Sequence, residues 1–271
     1  MSRKLISRIS VILISFVFAL ELNAFDYKVE GCFCEGGLIY AKVGTDSTVF
    51  IDDSPVKLSD DNYFVYAFGR KHSNSIKIKI NDKERTFEIK KKKYIVERIN
   101  KLPVRKVEPS ETDIKKIIRE RKQFANAKKK SLNIKLFTEN FTIPVEGRIS
   151  GRFGSQRILN NKPKRPHFGL DIAAKKGTNI YMPTDGIVKK VFDDMFFTGK
   201  TIIVDHGIGL ISIFAHLSDA NVKEEQILRK GEIIGKVGMT GRATGPHLHW
   251  GIYLENIPVD PEIFINVGAY K

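Results

Sequence analysis

Histidines are concentrated in one part of this sequence. Five of the six lie between residues 167 and 249. Three residues separate His167 from Asp171, and one separates His247 from His249 at the start of an apolar run that we predict to be a strand. Because residues i and i+2 of a strand share a face, His247 and His249 should project into the same space.

Imidazole and carboxylate groups in such a cluster suit a hydrolytic metal site. Two imidazoles and one carboxylate are a common ligand set for zinc, and a catalytic zinc site keeps a fourth position open. Zinc polarises a carbonyl and lowers the pKa of a water molecule toward about 7, which peptide hydrolysis requires. Further histidines could transfer a proton and stabilise the oxyanion. The alternative is a scatter of histidines that only fill the core or face solvent.

Short strands joined by glycine-rich turns must position these side chains. From Phe141 onward, glycines separate apolar runs of strand length. This pattern is typical of a compact antiparallel β domain with little helix. We therefore predict such a domain, with the metal site inside it, over residues 141–265.

Ordered motifs in this region resemble the lysostaphin-type zinc endopeptidases, also called the LytM-like peptidases. The three main motifs are His167-Phe168-Gly169-Leu170-Asp171, Phe214-Ala215-His216-Leu217 and Gly245-Pro246-His247-Leu248-His249-Trp250-Gly251. The resemblance covers roughly residues 141 to 262. The region around residues 36–38, with the linker at 101–103, is similar to the amino-terminal part of some Gram-negative members.

The resemblance implies a role for each of five matched residues. His167, Asp171 and His249 would bind one Zn²⁺ per chain. His216 and His247 would be the catalytic pair that polarises water or stabilises the tetrahedral intermediate. Some relatives have lost ligands and only activate other hydrolases, but none of the five positions departs from the family pattern here.

Other polar residues flank the expected cleft. Arg157, Arg242 and Thr244 are candidates for binding acidic stem peptides, and the alternative is that they are ordinary surface residues. His206 lies in a matched strand-turn segment without being a ligand, so we expect a structural role for it. Trp250 follows the ligand strand and is expected to pack in the core.

Residues 25–100 are predicted to form a small β-sandwich-like domain. Ile76, Ile78 and Ile80 alternate with lysines, which indicates a strand with one buried face, and residues 81–84 resemble the turn of a hairpin. Cys32 and Cys34 are the only cysteines. Two residues apart on a strand they would be too distant for easy bridging, so we expect that a disulfide does not hold this fold.

A basic linker with one amphipathic helix is predicted over residues 101–140. Ser110 and Asp113 have the spacing of a capping box, which marks the start of a helix. Apolar residues then recur at helical spacing and predict a packing face. The members of this stripe are Ile114, Ile117, Ile118, Phe124 and Ala125.

The positive charge of the chain is confined to its middle. The formal net charge is +15, and residues 70–135 contain 23 Lys and Arg against 8 Asp and Glu. This basic block could attach the protein to an anionic membrane face or a cell-wall polymer, and the alternative is a lysine-rich solvated surface. Nucleic acid is not an expected partner, because no binding motif is present and an exported protein rarely meets it.

The first 24 residues have the layout of a Sec-type signal peptide. Arg3, Lys4 and Arg8 precede an apolar stretch from Ile9 to Leu20, and cleavage is expected after Ala24. A retained anchor is the alternative, although this stretch of 12 residues, interrupted by Ser10 and Ser15, is shorter than the roughly 18 of a spanning helix. Lipid modification at Cys32 is a further alternative. The chain is therefore expected in the periplasm or cell envelope.

These predictions describe a mainly β, exported zinc metalloendopeptidase. By resemblance it would hydrolyse peptide cross-links of peptidoglycan during cell-wall remodelling, at D-alanyl to meso-diaminopimelate bonds. The alternative is a non-catalytic LytM-like regulator that activates a cell-wall amidase. A third hypothesis is a wall-anchoring or membrane-surface module built around the basic block.

Overall fold

A computed structural model describes residues 25–138 and 140–265. The predicted export signal at residues 1–24 lies outside these ranges. Within them, no helix is both long enough and apolar enough to cross a bilayer. The mainly β fold predicted from the sequence is confirmed.

Within the described residues, eight strands and two helices precede the glycine-rich region. The strands are β1 Glu30–Gly31, β2 Leu38–Lys42, β3 Val49–Ile51, β4 Ser54–Val56, β5 Tyr63–Ala67, β6 Ser75–Ile80, β7 Lys83–Glu88 and β8 Val96–Ile99. The helices are α1 Val104–Val107 and α2 Glu111–Ala127.

Thirteen strands follow in the described residues, and a short 3-10 helix, Pro261–Ile263, comes after the last of them. They are β9 Arg148–Gly151, β10 Gln156–Leu159, β11 Lys162–Pro163, β12 Leu170–Ala173, β13 Asn179–Tyr181, β14 Gly186–Met195, β15 Gly199–Asp205, β16 Leu210–Leu217, β17 Asp219–Ala220, β18 Ile227–Leu228, β19 Ile233–Lys236, β20 His247–Leu254 and β21 Ile257–Val259.

Two amino-terminal sheets pack around one apolar core. Their strand orders are β1-β2-β5 and β4-β3-β6-β7. Ile76, Ile78 and Ile80 of β6 are almost completely buried, while the lysines between them are partly exposed. Strand β6 therefore has one buried face, as the alternation predicted. Strands β6 and β7 form the predicted hairpin.

The expectation for the two cysteines was wrong. Cys32 and Cys34 form a disulfide, with a Cα–Cα distance of 5.3 Å. The prediction assumed an extended strand, in which residues i and i+2 lie more than about 6 Å apart. Instead, the Cys34 amide donates a hydrogen bond to the Cys32 carbonyl at 2.9 Å, so the chain turns tightly and brings the cysteines within bridging distance.

The segment between the two β regions lies against the second one. Strand β8 pairs in parallel with β10, and β10 also pairs with β11. Leu102 and Val107 are buried against Leu159 at the end of β10. Asn160 exchanges two hydrogen bonds with the backbone of Leu102. This segment is therefore fixed at the edge of the glycine-rich region.

Helix α2 begins at the predicted capping box. The Ser110 side chain accepts from the Asp113 amide, and the Asp113 carboxylate accepts from the Ser110 amide. The predicted packing face is only partly correct, because Ile114 and Ile118 are 46% and 60% exposed. Ala125 is exposed as well.

The face that docks α2 contains part of the apolar stripe together with two acids. Asp113, Ile117 and Glu120 are buried, and the Phe124 ring stacks on Phe192 of β14 at 5.8 Å. Glu120 accepts a hydrogen bond from the Phe196 amide at 2.9 Å. The prediction considered only apolar residues and therefore missed these two acids. Their carboxylates can be buried because each one accepts hydrogen bonds from a neighbouring group.

The main sheet of the second region contains eight strands. Their order is β18-β14-β15-β16-β20-β12-β9, with β21 also paired to β20, and all of these pairs are antiparallel. Strand β16 is buried along its whole length, and Trp250 of β20 is fully buried. The adjacent central strands β16, β20 and β12 carry most of the histidine motifs.

Candidate metal centre

Neighbouring strands bring the three histidine motifs together. In the antiparallel register, Asp171 of β12 lies opposite His249 of β20, and His249 lies opposite Ala215 of β16. His216 is the next residue along β16, and His167 precedes β12 in a loop. Backbone hydrogen bonds of the sheet therefore fix the positions of most of these side chains before any ligand binds.

Potential ligand atoms of three residues converge on one point. Nε2 of His167 and Nδ1 of His249 lie 3.0 and 2.7 Å from Oδ1 of Asp171. The two ring nitrogens lie 3.0 Å from each other. Two imidazole nitrogens and one carboxylate oxygen in such a triangle can coordinate one ion on a common side, which leaves a position open.

Surrounding groups orient these donors. Nδ1 of His167 lies 3.1 Å from the Arg152 carbonyl oxygen, and a proton donated there leaves Nε2 free as a ligand. Oδ2 of Asp171 accepts from Nη2 of Arg157 at 2.5 Å, so Oδ1 remains directed at the two histidines. The donor set and its supporting hydrogen bonds fit a divalent metal ion.

Two glycines allow this close packing. A Cβ atom on Gly169, in the motif between His167 and Asp171, would lie 2.5 Å from Cε1 of His249. A Cβ on Gly151 of β9 would lie 2.7 Å from Oδ2 of Asp171. Real Cβ atoms do not approach so closely, so both positions require glycine.

His216 and His247 form a second pair beside the three donors. Their ring centroids are 4.7 Å apart. Nδ1 of His216 lies 2.8 Å from the Thr240 carbonyl oxygen, and Nδ1 of His247 lies 2.8 Å from that of Gly245. With Nδ1 donating in each ring, Nε2 is left as an acceptor. His216 also has a φ of 65°, an unfavourable value that is typical of functional positions.

Burial sets the charges at this centre. Burial by itself would raise the pKa of Asp171, but the charges and hydrogen bonds of His167 and His249 hold this pKa well below its usual value. Burial, followed by the neighbouring His247 and His249, lowers the pKa of His216 to about 3. Burial also lowers the pKa of His249. Asp171 is thus a carboxylate, and burial favours the neutral imidazoles of His216 and His249, the forms that bind metal and accept protons.

Two cavities open on this centre. One, of about 590 Å³, is lined in part by His167, His216 and His249. The other, of about 200 Å³, is lined in part by Asp171, His216 and His247. His216 lines both cavities, so a peptide chain that extended through both would pass the metal donors.

The remaining predicted site residues have different environments. Arg157 and Arg242 line both cavities, and Thr244 lines the smaller one. Besides its contact with Asp171, Arg157 donates to Glu97 of β8 at 3.2 Å. His206 is fully buried, with Nε2 2.8 Å from the Ser212 hydroxyl and Nδ1 2.7 Å from the Asp185 carbonyl oxygen. It is separate from the metal donors.

Several residues that line the larger cavity were not predicted from the sequence. Ile114, Ile118 and Arg121 of α2 contribute to its wall, as do Phe168 and Phe197. The exposed isoleucines of the helix were interpreted as a packing face, and no local pattern distinguishes such a face from a cleft wall. Phe168 could have been noticed, since it lies inside the His167–Asp171 motif.

Comparison with known proteins identifies related chains. The model of peptidase family M23 matches residues 165–261. A Pseudomonas aeruginosa protein, whose crystal structure is described as that of an M23 peptidase, is 32% identical with a TM-score of 0.64. The alignment covers 86% of this chain and 94% of that one, so the likeness includes the amino-terminal strands as well as the metal centre.

Two curated relatives match the second region. The peptidoglycan DD-endopeptidase ShyA of Vibrio cholerae is 35% identical over 123 residues, or 45% of this chain and 28% of the relative. The DD-carboxypeptidase/endopeptidase Mpg of Neisseria meningitidis is 37% identical over 117 residues, or 43% and 27%. The match therefore spans little more than a quarter of either curated relative.

Proposed function

Because this chain belongs to peptidase family M23, we propose that it is a zinc metalloendopeptidase that hydrolyses the peptide cross-links of peptidoglycan. The observation that carries this proposal is the convergence of His167, Asp171 and His249 beside the His216–His247 pair. The names of the relatives ShyA and Mpg support the substrate class. The proposed bond is the one between D-alanine and meso-diaminopimelate, and the proposed location is the periplasm or cell envelope.

His167, Asp171 and His249 would hold the zinc ion. When bound, zinc supplies Lewis-acid polarisation of the scissile carbonyl and lowers the pKa of a water molecule. Nitrogen and oxygen donors in a three-residue set with an open position are those expected of catalytic zinc. Arg157 neutralises the second oxygen of Asp171 and keeps the first one directed at the site.

His216 and His247 would move the proton. With Nδ1 of each ring donating to a carbonyl oxygen, Nε2 would accept the proton that water loses on attack and return it to the leaving amine. The carbonyl groups of Thr240 and Gly245 hold the rings in the required tautomer. The partial burial of the centre lowers the local dielectric constant and strengthens these interactions.

The direct test of the proposed reaction is mass analysis of muropeptides released from purified sacculi by the zinc-loaded protein. We expect dimeric muropeptides to be converted to monomers through loss of the cross-link, and a chelator should stop the conversion. Release of intact stem peptides from the glycan would instead indicate an amidase, and unchanged muropeptides would contradict hydrolysis.

The proposed ligands are tested by metal content. A site with two ligands binds far more weakly than one with three, so Asp171→Ala and His249→Ala should each purify without zinc and without hydrolytic activity. His72→Ala, in the amino-terminal region, is the control and should retain stoichiometric zinc. Full zinc content in His249→Ala would contradict the assignment of His249 as a ligand.

A further inference from the structure

The cavities at the metal centre are strongly cationic. The lining of the larger one includes Arg121, Arg157, Lys164, Arg165 and Arg242, and none of its lining residues is acidic. In the smaller cavity the single acidic lining residue is Asp171, a proposed zinc ligand. A cleft of this composition attracts anionic substrates and repels cationic ones.

Some of these cations are already committed to partners within the protein. Arg157 is bound to Asp171 and Glu97. Nζ of Lys164 donates to the Val107 carbonyl oxygen at 2.9 Å. These two side chains therefore serve to fix the cleft, and they are not free to bind a substrate.

Arg242 differs because its charge is half-buried without an anion. Among the residues that the structure describes, its guanidinium has no ion pair and donates no hydrogen bond. It lies over the Phe197 ring with Cζ 4.4 Å from the centroid. Burial, and then the charge of Arg157, lowers the pKa of Arg242 to about 10. A guanidinium in such surroundings is stabilised when a carboxylate binds it, since the pair compensates for lost hydration.

Helix α2 supplies a second guanidinium to the same cavity. Arg121 is exposed, lines the cavity with Arg242, and has no recorded hydrogen bond or ion pair within the described ranges. Ile114 and Ile118, two turns and one turn before it, line the same wall and are 46% and 60% exposed. The cavity thus combines apolar surface for a peptide with guanidinium groups for a carboxylate.

We propose that Arg242, assisted by Arg121, binds a carboxylate that the substrate carries close to the scissile amide. This inference rests on the proposed function and specifies its substrate class, namely cross-linked peptides whose diamino acid keeps a free carboxylate. Arg242 and His216 line both cavities, so a carboxylate held by Arg242 would occupy the same cleft as the reacting carbonyl. An amidated peptide would present a neutral group there and bind less well.

Two synthetic cross-linked peptides test this subsite. They differ only in that the carboxylate of the diamino acid is free in one and a carboxamide in the other. A hydrogen-bonded charge pair of this kind is worth roughly a tenfold to hundredfold difference in affinity. We expect the zinc-loaded protein to favour the free acid by about that factor in kcat/KM, with most of the effect in KM. Equal hydrolysis of both peptides would overturn the proposal.

Variants separate substrate recognition from other roles of the two arginines. Arg242→Gln should lose the preference for the free acid over the carboxamide, whereas Arg242→Lys should keep part of the preference. Arg121→Gln should lose a smaller part. Arg119→Gln, on the same helix but outside the cavity lining, is the matched control. A loss by Arg242→Gln that is equal for both peptides would overturn the proposal in favour of a general structural or catalytic role.

Binding measurements distinguish this inference from the proposed reaction. Isothermal titration of the metal-free protein with each peptide reports recognition without hydrolysis, and thermal unfolding checks that each variant is folded. Tighter binding of the free acid, lost in Arg242→Gln, would support the subsite even if neither peptide were cleaved, and that result would overturn only the proposed hydrolysis. Equal binding of both peptides would overturn the subsite.

Discussion

Individual side chains at the metal centre are controlled by partners outside it. Asp171 faces two histidines with one oxygen and Arg157 with the other, so its charge is balanced in the absence of metal. Nδ1 of His167 is hydrogen-bonded to the carbonyl oxygen of Arg152. Nδ1 of His216 is hydrogen-bonded in the same way to Thr240, and Nδ1 of His247 to Gly245. These hydrogen bonds select the tautomers that the proposed reaction needs, and they are supplied by loops rather than by the ligand strands.

Substitution of the proposed catalytic pair should separate metal binding from turnover. His216→Ala and His247→Ala each remove a group that transfers a proton or stabilises the oxyanion, which is typically worth about a hundredfold or more in rate. We expect both variants to retain zinc, measured by elemental analysis, and to lose activity on a soluble cross-linked peptide. Parallel loss of metal and activity in either variant would show that its histidine is a ligand.

His206 should make the stability of the fold depend on pH. Burial lowers its pKa below the usual value near 6.5, so the unfolded chain binds a proton that the folded chain excludes as the pH falls. This group therefore contributes full stability above about pH 6.5 and loses it below. Between pH 7.5 and 5.5, we expect the destabilisation by His206→Gln to shrink by roughly 1 kcal/mol.

Urea unfolding of metal-free protein at the two pH values measures this difference. Other titrating groups are common to wild type and variant and cancel in the comparison. A penalty for His206→Gln that is independent of pH would show that His206 titrates alike in the folded and unfolded chains.

Helix α2 combines two functions on adjacent faces. One face, with Ile117, Glu120 and Phe124, holds the helix on the main sheet, and the adjacent face, with Ile114 and Ile118, lines the cleft. The helix begins at a capping box, and Arg105 pairs with the capping Asp113. An element that precedes the glycine-rich region is therefore part of the cleft wall.

Glu120 should be necessary for the docking of this helix. Its carboxylate accepts the buried Phe196 amide, and removal of a buried acceptor leaves the donor unpaired at a cost of about 1–3 kcal/mol. We expect Glu120→Ala to lower the free energy of unfolding by that amount. The control Gln123→Ala, at an exposed position of the same helix, should change it by less than about 0.5 kcal/mol. Similar stabilities of the two variants, measured by urea unfolding, would contradict this role of Glu120.

At the scale of the whole molecule, the two β regions share a core. Leu38 and Tyr40 of β2 pack with the apolar cluster of the main sheet, whereas Ile39 and Ala41 of the same strand pack in the amino-terminal core. Polar contacts reinforce this interface. Nζ of Lys92 pairs with the buried Asp260 carboxylate at 2.7 Å. The amino-terminal region is thus firmly attached to the part that carries the metal centre.

The basic block divides into structural and exposed lysines. Lys91 and Lys92 pair with Glu35 and Asp260, and Lys128 donates to Asn256 and lies over the Tyr253 ring. Lys129 and Lys130 are exposed and, together with Lys57, line a separate cavity of about 540 Å³. Lys129 and Lys130 are therefore among the exposed cations that are available for an anionic surface.

Attachment to an anionic surface through the basic block should be salt-sensitive. The screening length falls from about 8 Å at physiological salt to about 3 Å at 1 M, so binding to sacculi or anionic vesicles should weaken steeply as salt rises. Lys129→Gln with Lys130→Gln should weaken binding further. Lys175→Gln with Lys176→Gln, an exposed pair outside the block, is the matched control.

Co-sedimentation measures this binding, and hydrolysis of a small soluble peptide should be the same in both double variants. Salt-independent binding would contradict an electrostatic attachment. An equal effect of the control pair would show that net charge alone matters.

The sequence by itself determined the features that depend on short spacing. The alternation of Ile76, Ile78 and Ile80 predicted a half-buried strand, and Ser110 with Asp113 predicted the start of α2. The single residue between His247 and His249 placed both on one strand face, because side chains of a strand alternate. Each of these patterns reflects the geometry of one element, so a local pattern is sufficient to reveal it.

Only the tertiary structure decided the features that depend on partners distant in sequence. A tight turn brings Cys32 and Cys34 within bridging distance. Buried acids help to determine which face of α2 docks, and Arg157 donates hydrogen bonds to Asp171 and Glu97. In each case the outcome depends on which polar groups lose water and which partner compensates them. That balance is set by three-dimensional packing, which the local pattern of residues does not encode.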